Sequence, residues 1–345
     1  MAEKQNEHLE MGNGLKSMIR KLVGIISPPG YEAAIRDLIR LEVEPLSDEV
    51  QADALGNLIA RKGELGKNGK KIMLTAHMDE IGLIATHVDK NGFIRFTTLG
   101  TIQPQVLAGA QVRFLNGIEG VVGSLTFSRT SELTPVEKMF IDVGATNPGS
   151  CPVKIGDMAA FKGDFLDLGR RLVARSMDGR IGVAVLIETM RRLERTAHEV
   201  NFVFTTQAEV GARGMAPAAF GVDPEIGISV YVTPASDTPD DPKPGTTLGK
   251  GPVIQVKDGR MIAAPQMVDW IVHTAEKNRI PYQREVLSLG STEAHVMQVT
   301  RLGVPSGMLS IPCRYLHSAS EMVDFEDVQN AVHLLVALLE SRLKF

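Results

Sequence analysis

The texture of this chain changes twice along its length, and that change constrains the fold more than any single motif. Both ends mix helix-spaced apolar stripes with short, continuous apolar runs, the pattern of helices packed on a buried sheet. Between about Ile84 and Leu172 the helical spacing disappears. Short β-like runs take over, punctuated by Gly and Asn: 93–96, 111–114, 120–123, 139–143 and 158–161. Their spacing predicts a small β-barrel or sandwich. The fold class expected is therefore α/β with an inserted β-barrel. Residues 1–83 and 172–345 form the discontinuous α/β domain, and residues 84–171 form the insertion, whose edges can serve assembly.

Within the flanks, Leu15, Met18, Ile19, Leu22 and Val23 give helical spacing until Ser27-Pro28-Pro29-Gly30 breaks it. Helical spacing resumes over 31–42 and returns in 181–193, 267–277 and 325–343. Strands are predicted at 56–61, 72–76, 200–206 and 226–232. The 72–76 run ends at His77-Met78-Asp79-Glu80, and open α/β sheets place their ligands at the C-terminal ends of such strands. The Pro- and Asp-rich stretch 237–244 reads as a loop.

Composition narrows the function. A chain of 345 residues has room for two domains and a large core. A net charge of −4 gives no reason to expect nucleic acid or an anionic membrane surface as partner. No apolar run approaches the roughly 20 residues that span a bilayer. Residues 1–14 lack the basic-then-apolar order of a signal peptide. The two cysteines, Cys151 and Cys313, fit a reducing compartment, so a cytoplasmic location is expected.

Four residues at strand ends or in loops carry metal-ligand chemistry: His77, Asp178, Glu209 and His317. Imidazole and carboxylate donors suit zinc or cobalt. Asp79, two residues after His77, is placed to orient its imidazole. No short ligand motif links the four, however, and each taken alone also reads as a solvated loop residue. The remaining histidines (8, 87, 198, 273, 295 and 333) read as surface or locally satisfied groups. Cys313 reads as a small buried apolar residue rather than a nucleophile.

Longer segments add weight. Residues 76–83 (Ala-His-Met-Asp-Glu-Ile-Gly-Leu), 103–107, 178–182 (Asp-Gly-Arg-Ile-Gly), 209–214 (Glu-Val-Gly-Ala-Arg-Gly), 232–239 and 311–318 (Ile-Pro-Cys-Arg-Tyr-Leu-His-Ser) occur in one order across nearly the whole chain. In them the chain resembles the tetrahedral and glutamyl aminopeptidases, family forty-two of the metallopeptidases. The resemblance implies an α/β/α metallopeptidase domain with a β-barrel insertion, release of N-terminal residues from short peptides, and large homo-oligomers, often dodecameric. It places His77 and Asp178 on ligand positions with Asp178 as the bridge, Glu209 and His317 on ligands of the other metal, and Asp79 on the residue that orients His77.

Four positions depart from that pattern, two of them in the chemistry itself. Ala208 falls on the general base, normally Glu. Tyr231 falls on the remaining ligand of the metal bound by His77, normally Asp. Gly179 replaces the usual Asp or Asn, and Glu293 stands where Asp is usual. A neutral phenol is a poor ligand, so one ion on Asp178, Glu209 and His317 is expected rather than two. Loss of general-base assistance typically costs about 10²–10⁴ in rate. Glu80 and Glu321 are the neighbouring carboxylates considered as substitutes. Three functions stay open: an aminopeptidase with impaired chemistry, a silent relative that binds peptides or amino acids or serves as a structural or regulatory subunit, and a mononuclear hydrolase of another substrate.

Overall fold

The computed structural model describes residues 2–124, 134–239 and 245–343. Residues 240–244 of the predicted Pro/Asp-rich loop lie outside that range. The described chain forms an 11-stranded sheet and a separate closed barrel.

The centre of the large sheet is parallel. Strand Glu199–Thr205 runs beside Lys71–His77, which runs beside Ile226–Pro234, which runs beside Ser306–Arg314. These strands are buried almost throughout, which is why they read in the sequence as continuous apolar runs rather than alternating ones. Side chains still alternate between the faces. Ile72, Leu74, Ala76, Phe202 and Phe204 pack into one core. Met73 and Val203 point the other way.

The first core is roofed by helices Ala2–Gly24, Ala33–Val43, Met177–Arg192, Pro265–Lys277 and Phe325–Glu340. The second is covered by Met215–Val222 and the short helix Ala294–Gln298. The result is three layers, α/β/α, as the resemblance implies. Helix Ala2–Gly24 begins well before the apolar spacing that announces it.

The barrel closes through strands Gly82–Val88, Ile94–Leu99, Phe140–Asp142, Glu119–Gly123, Gln111–Phe114 and Met158–Phe161. The closed form, not the sandwich, is what the chain adopts. Strand Gly82–Val88 is the barrel strand that the sequence pattern does not mark. It follows directly on the His77–Glu80 segment, so the site-bearing strand end and the barrel are separated by only a few residues. A small separate core, including Ile81, Leu83, Phe96, Leu107, Phe114 and Phe161, fills the barrel.

Candidate metal centre

The site is built at the C-terminal ends of the parallel strands. His77 is the last residue of its strand and lies opposite Thr205 in register. Beyond Thr205 the chain turns sharply, with Gln207 at φ 54°. That left-handed conformation costs a non-glycine residue energy and persists where its surroundings hold it. In this loop the Gln207 amide donates to Glu32 Oε1 at 3.0 Å, and the Ala208 and Glu209 amides donate to the two Asp79 oxygens at 3.0 Å each. Asp79 thus holds the loop that presents Glu209. It also lies 3.4 Å from His77 Nδ1, near enough to act on the ring by charge but outside hydrogen-bond alignment.

Asp178 sits where the Met177–Arg192 helix is kinked. It has φ −60°, ψ 128°, and Gly179 has φ 76°, ψ −51°, so neither is helical. The kink aims the carboxylate between two imidazoles. Oδ1 is 3.1 Å from His77 Nε2, and Oδ2 is 3.1 Å from His317 Nε2. A Cβ on residue 179 would stand 2.7 Å from His77 Cε1, so the glycine at this position lets the ring lie against the kink. Glu321 fastens the other side: Oε2 accepts from the Asp178 amide at 2.9 Å and Oε1 from the His317 amide at 2.7 Å.

The charges are unbalanced in a particular way. Burial pushes Glu209 up to about 8, and the Asp178 charge adds to the effect. Burial opposes protonation of His317, but its hydrogen bond to Asp178 and the surrounding carboxylates raise it to about 9. Burial likewise opposes protonation of His77, and Asp178 and Asp79 overcome it, holding the ring well above its ordinary value. Asp178 resists burial through the same two histidines and is held well below the carboxylate range. Negative groups thus outweigh positive ones in a water-poor pocket, and protons fill the gap.

Tyr231 adjoins this group. Its ring lies against His77 with centroids 4.9 Å apart and planes inclined by 30°. Burial and the charge of Glu293 push its hydroxyl well above the ordinary phenol range, so it stays neutral. Glu293 accepts from the Thr205 hydroxyl at 2.6 Å through Oε2, while its buried Oε1 has no hydrogen-bond partner. Cys313 is buried, and burial raises its thiol, which fits its reading as an apolar filler.

Glu80 has a different role from the one considered for it. It is 3% exposed, Oε1 accepts from the Ser27 amide at 2.8 Å, and Oε2 accepts from Arg175 and from the Ser176 hydroxyl. Arg180, fully buried, lies 3.6 Å away. This cluster packs the segment after the first helix against the site. Nothing in the local spacing announces it. The one signal in the sequence is Arg180, a charged residue just before the apolar run of its helix.

Donor atoms of His77, Asp178 and Glu209 lie within 4.8 Å of one another. This trio contains His77 where the sequence reading places His317. His317 reaches the centre through the second Asp178 oxygen instead. Imidazole and carboxylate donors around an excess of buried negative charge fit a divalent cation.

The comparisons with known proteins identify the family. The family model of M42 glutamyl aminopeptidases matches residues 56–334. A lysyl aminopeptidase of Pyrococcus furiosus is 35% identical over 339 residues, covering 94% of this chain and 96% of that one. An aminopeptidase from the archaeon Desulfurococcus kamchatkensis superposes with a TM-score of 0.90 at 34% identity, covering 96% and 95% of the two chains. The TET1 peptidase of Pyrococcus horikoshii, which can assemble into a tetrahedron or a large octahedral shell, gives 0.82 at 32%, covering 94% and 99%. Matched over residues 56–334 and by relatives along nearly its whole length, this chain belongs to a metal-dependent peptidase family, the M42 glutamyl aminopeptidases.

Proposed function

We propose that this protein engages the N-terminal part of short peptides at a centre holding one divalent cation, zinc or cobalt, and that it hydrolyses them far more slowly than its fold permits. Asp178 and Glu209 hold the cation, with His77 and His317 on either side of Asp178. Asp79 fixes the Glu209 loop and the His77 side of the centre. When bound, such a cation polarises a carbonyl and makes a bound water more acidic. Ala208, where the family has a proton acceptor, offers only a methyl group.

The observation that carries this reading is the state of Glu80 and Glu321, the two carboxylates considered as substitutes for the base. Both oxygens of Glu80 are engaged by Ser27, Arg175 and Ser176, and both oxygens of Glu321 by the Asp178 and His317 amides. Both are committed to the scaffold, Glu80 to Arg175 and Ser27 and Glu321 to the backbone on either side of the centre. Tyr231, with its ring laid against His77, supports a count of one cation rather than two.

The same two positions favour a second reading, in which peptide or amino-acid binding persists with no turnover. Thermal stabilisation by peptides, measured beside hydrolysis of aminoacyl-anilides, separates the two: slow release supports the first, stabilisation without release the second. A relative whose structure holds a dodecamer, and the TET1 peptidase of Pyrococcus horikoshii with its tetrahedral or octahedral shell, support a homo-oligomer here, a dodecamer being one such form. Among the described residues no helix is long and apolar enough to cross a membrane.

Elemental analysis after equilibration with zinc or cobalt and removal of loose metal tests the cation count. About one per chain is expected. Two would mean that Tyr231 or another group completes a second position, and that the centre works as an ordinary dinuclear hydrolase.

A further inference from the structure

Gly100 follows directly on the barrel strand Ile94–Leu99 and has φ 86°. A Cβ built on it would stand 2.9 Å from Glu209 Oε2, 3.4 Å from Glu209 Cβ and 2.8 Å from Ile81 Cγ2. Glu209 belongs to the three-layer domain, and its donor atom is one of the trio that converges with His77 and Asp178. The backbone of the inserted barrel therefore lies against the outer side of a metal-ligating carboxylate. From the inner side the same residue is held through its amide by Asp79 at 3.0 Å.

We infer that Gly100 is a positioning residue for the cation centre: the barrel backbone at this glycine forms the wall that sets where the Glu209 carboxylate lies, so the insertion is part of the site as well as a module beside it. The inference rests on the cation reading above. Its physical content is steric. The far end of a glutamate yields easily, so a methyl group at residue 100 displaces the carboxylate rather than the backbone. Ligands must be held to about 0.5 Å for a site to keep its geometry, and loss of a group that supports a ligand typically weakens metal affinity by about 10–100-fold.

Gly117 supplies the control. It is also a barrel glycine, with φ 87°, but a Cβ there would meet nothing within 4 Å. Gly117→Ala therefore carries the same left-handed backbone penalty without the contact. Zinc alone is titrated calorimetrically into the full-length wild type, Gly100→Ala and Gly117→Ala. Gly100→Ala is expected to bind zinc about 10–100-fold more weakly, and Gly117→Ala as the wild type does.

The same pair in a Glu209→Asp background shows whether the contact is the cause. The shorter side chain withdraws from the wall, so Gly100→Ala should add little to the loss already caused by Glu209→Asp. Should Gly100→Ala not fold, Gly100→Ala with Ile81→Ala removes the other close contact and leaves the one to Glu209. Equal zinc affinity in Gly100→Ala and wild type, an equal loss in Gly117→Ala, or a full additive penalty in the Glu209→Asp background each overturns the inference while the cation reading stands. A wild type that binds no zinc overturns both.

Discussion

Restoring Ala208→Glu and Tyr231→Asp together should raise turnover of aminoacyl-anilides by about 10²–10⁴-fold, the usual worth of a positioned general base, with the second cation adding to it. The loop is already shaped for the change. Asp79 and Glu32 fix the backbone of residues 207–209, and Ala208 is only half-buried, so a longer side chain extends without displacing core. The Tyr231→Asp change works differently. It removes a buried ring and places a carboxylate among Glu293, Asp79, Asp178 and Glu209, the groups whose charges already act on Tyr231. Without metal that variant should melt lower than the wild type. With zinc it should recover, because a ligand that binds only the folded state stabilises it in proportion to its occupancy. The measurements are initial rates, metal content and melting temperature with and without zinc. A double variant that binds two cations and shows no gain in rate would refute the role assigned to Ala208.

Glu80→Gln should destabilise the fold by about 3–5 kcal/mol, the usual cost of breaking a buried ion pair by removing one partner. The loss arises from what remains. Arg175 and Arg180 are both buried, and Arg180 already has Nε and Nη1 without hydrogen-bond partners. Removing the carboxylate leaves two guanidinium charges facing each other, with only the weaker charges of Asp79 and Glu32 acting on Arg180. The pair also fixes a pH dependence. Burial raises the Glu80 pKa, but Arg175 and Arg180 outweigh it, so the folded value lies below the ordinary 4.5. A depressed carboxylate contributes stability that is present above its unfolded pKa and lost as pH falls through the folded one. The wild type should therefore lose this contribution below about pH 4.5, while Glu80→Gln should lack that part of its acid sensitivity. Urea unfolding at pH 7 and pH 4 measures both. Equal stabilities at pH 7 would show that the arginines find other partners.

What the sequence made legible follows burial. The strands Lys71–His77, Glu199–Thr205 and Ile226–Pro234 are covered on both faces, so their apolar runs stand out. Edge strands such as Glu49–Ala52 and Leu166–Asp167 are largely exposed, and their sequences carry no such signal. Strand Gly82–Val88 is hidden for another reason: it has no turn before it to mark a start. The helix around Asp178 is legible from Ile181 onward, but the kink that aims the carboxylate depends on Gly179 and on Glu321, 143 positions away from Asp178. His77, Asp178, Glu209 and His317 stand out as ligand types, and their convergence needs the family resemblance, because their spacing in sequence carries no geometry. Glu32, Glu80 and Gly100 act through partners far along the chain, so local pattern does not reveal them.

The backbone clamp on residues 207–209 has a consequence for how such a site is lost or regained. Glu32 grips the loop at the Gln207 amide, and Asp79 grips it at the next two. No part of that grip involves the side chain of residue 208. A substitution at residue 208 therefore leaves the hydrogen bonds that shape the loop in place. A chain that keeps the clamp can thus exchange residue 208 without first reshaping the loop, whereas an exchange at Tyr231 disturbs a buried ring.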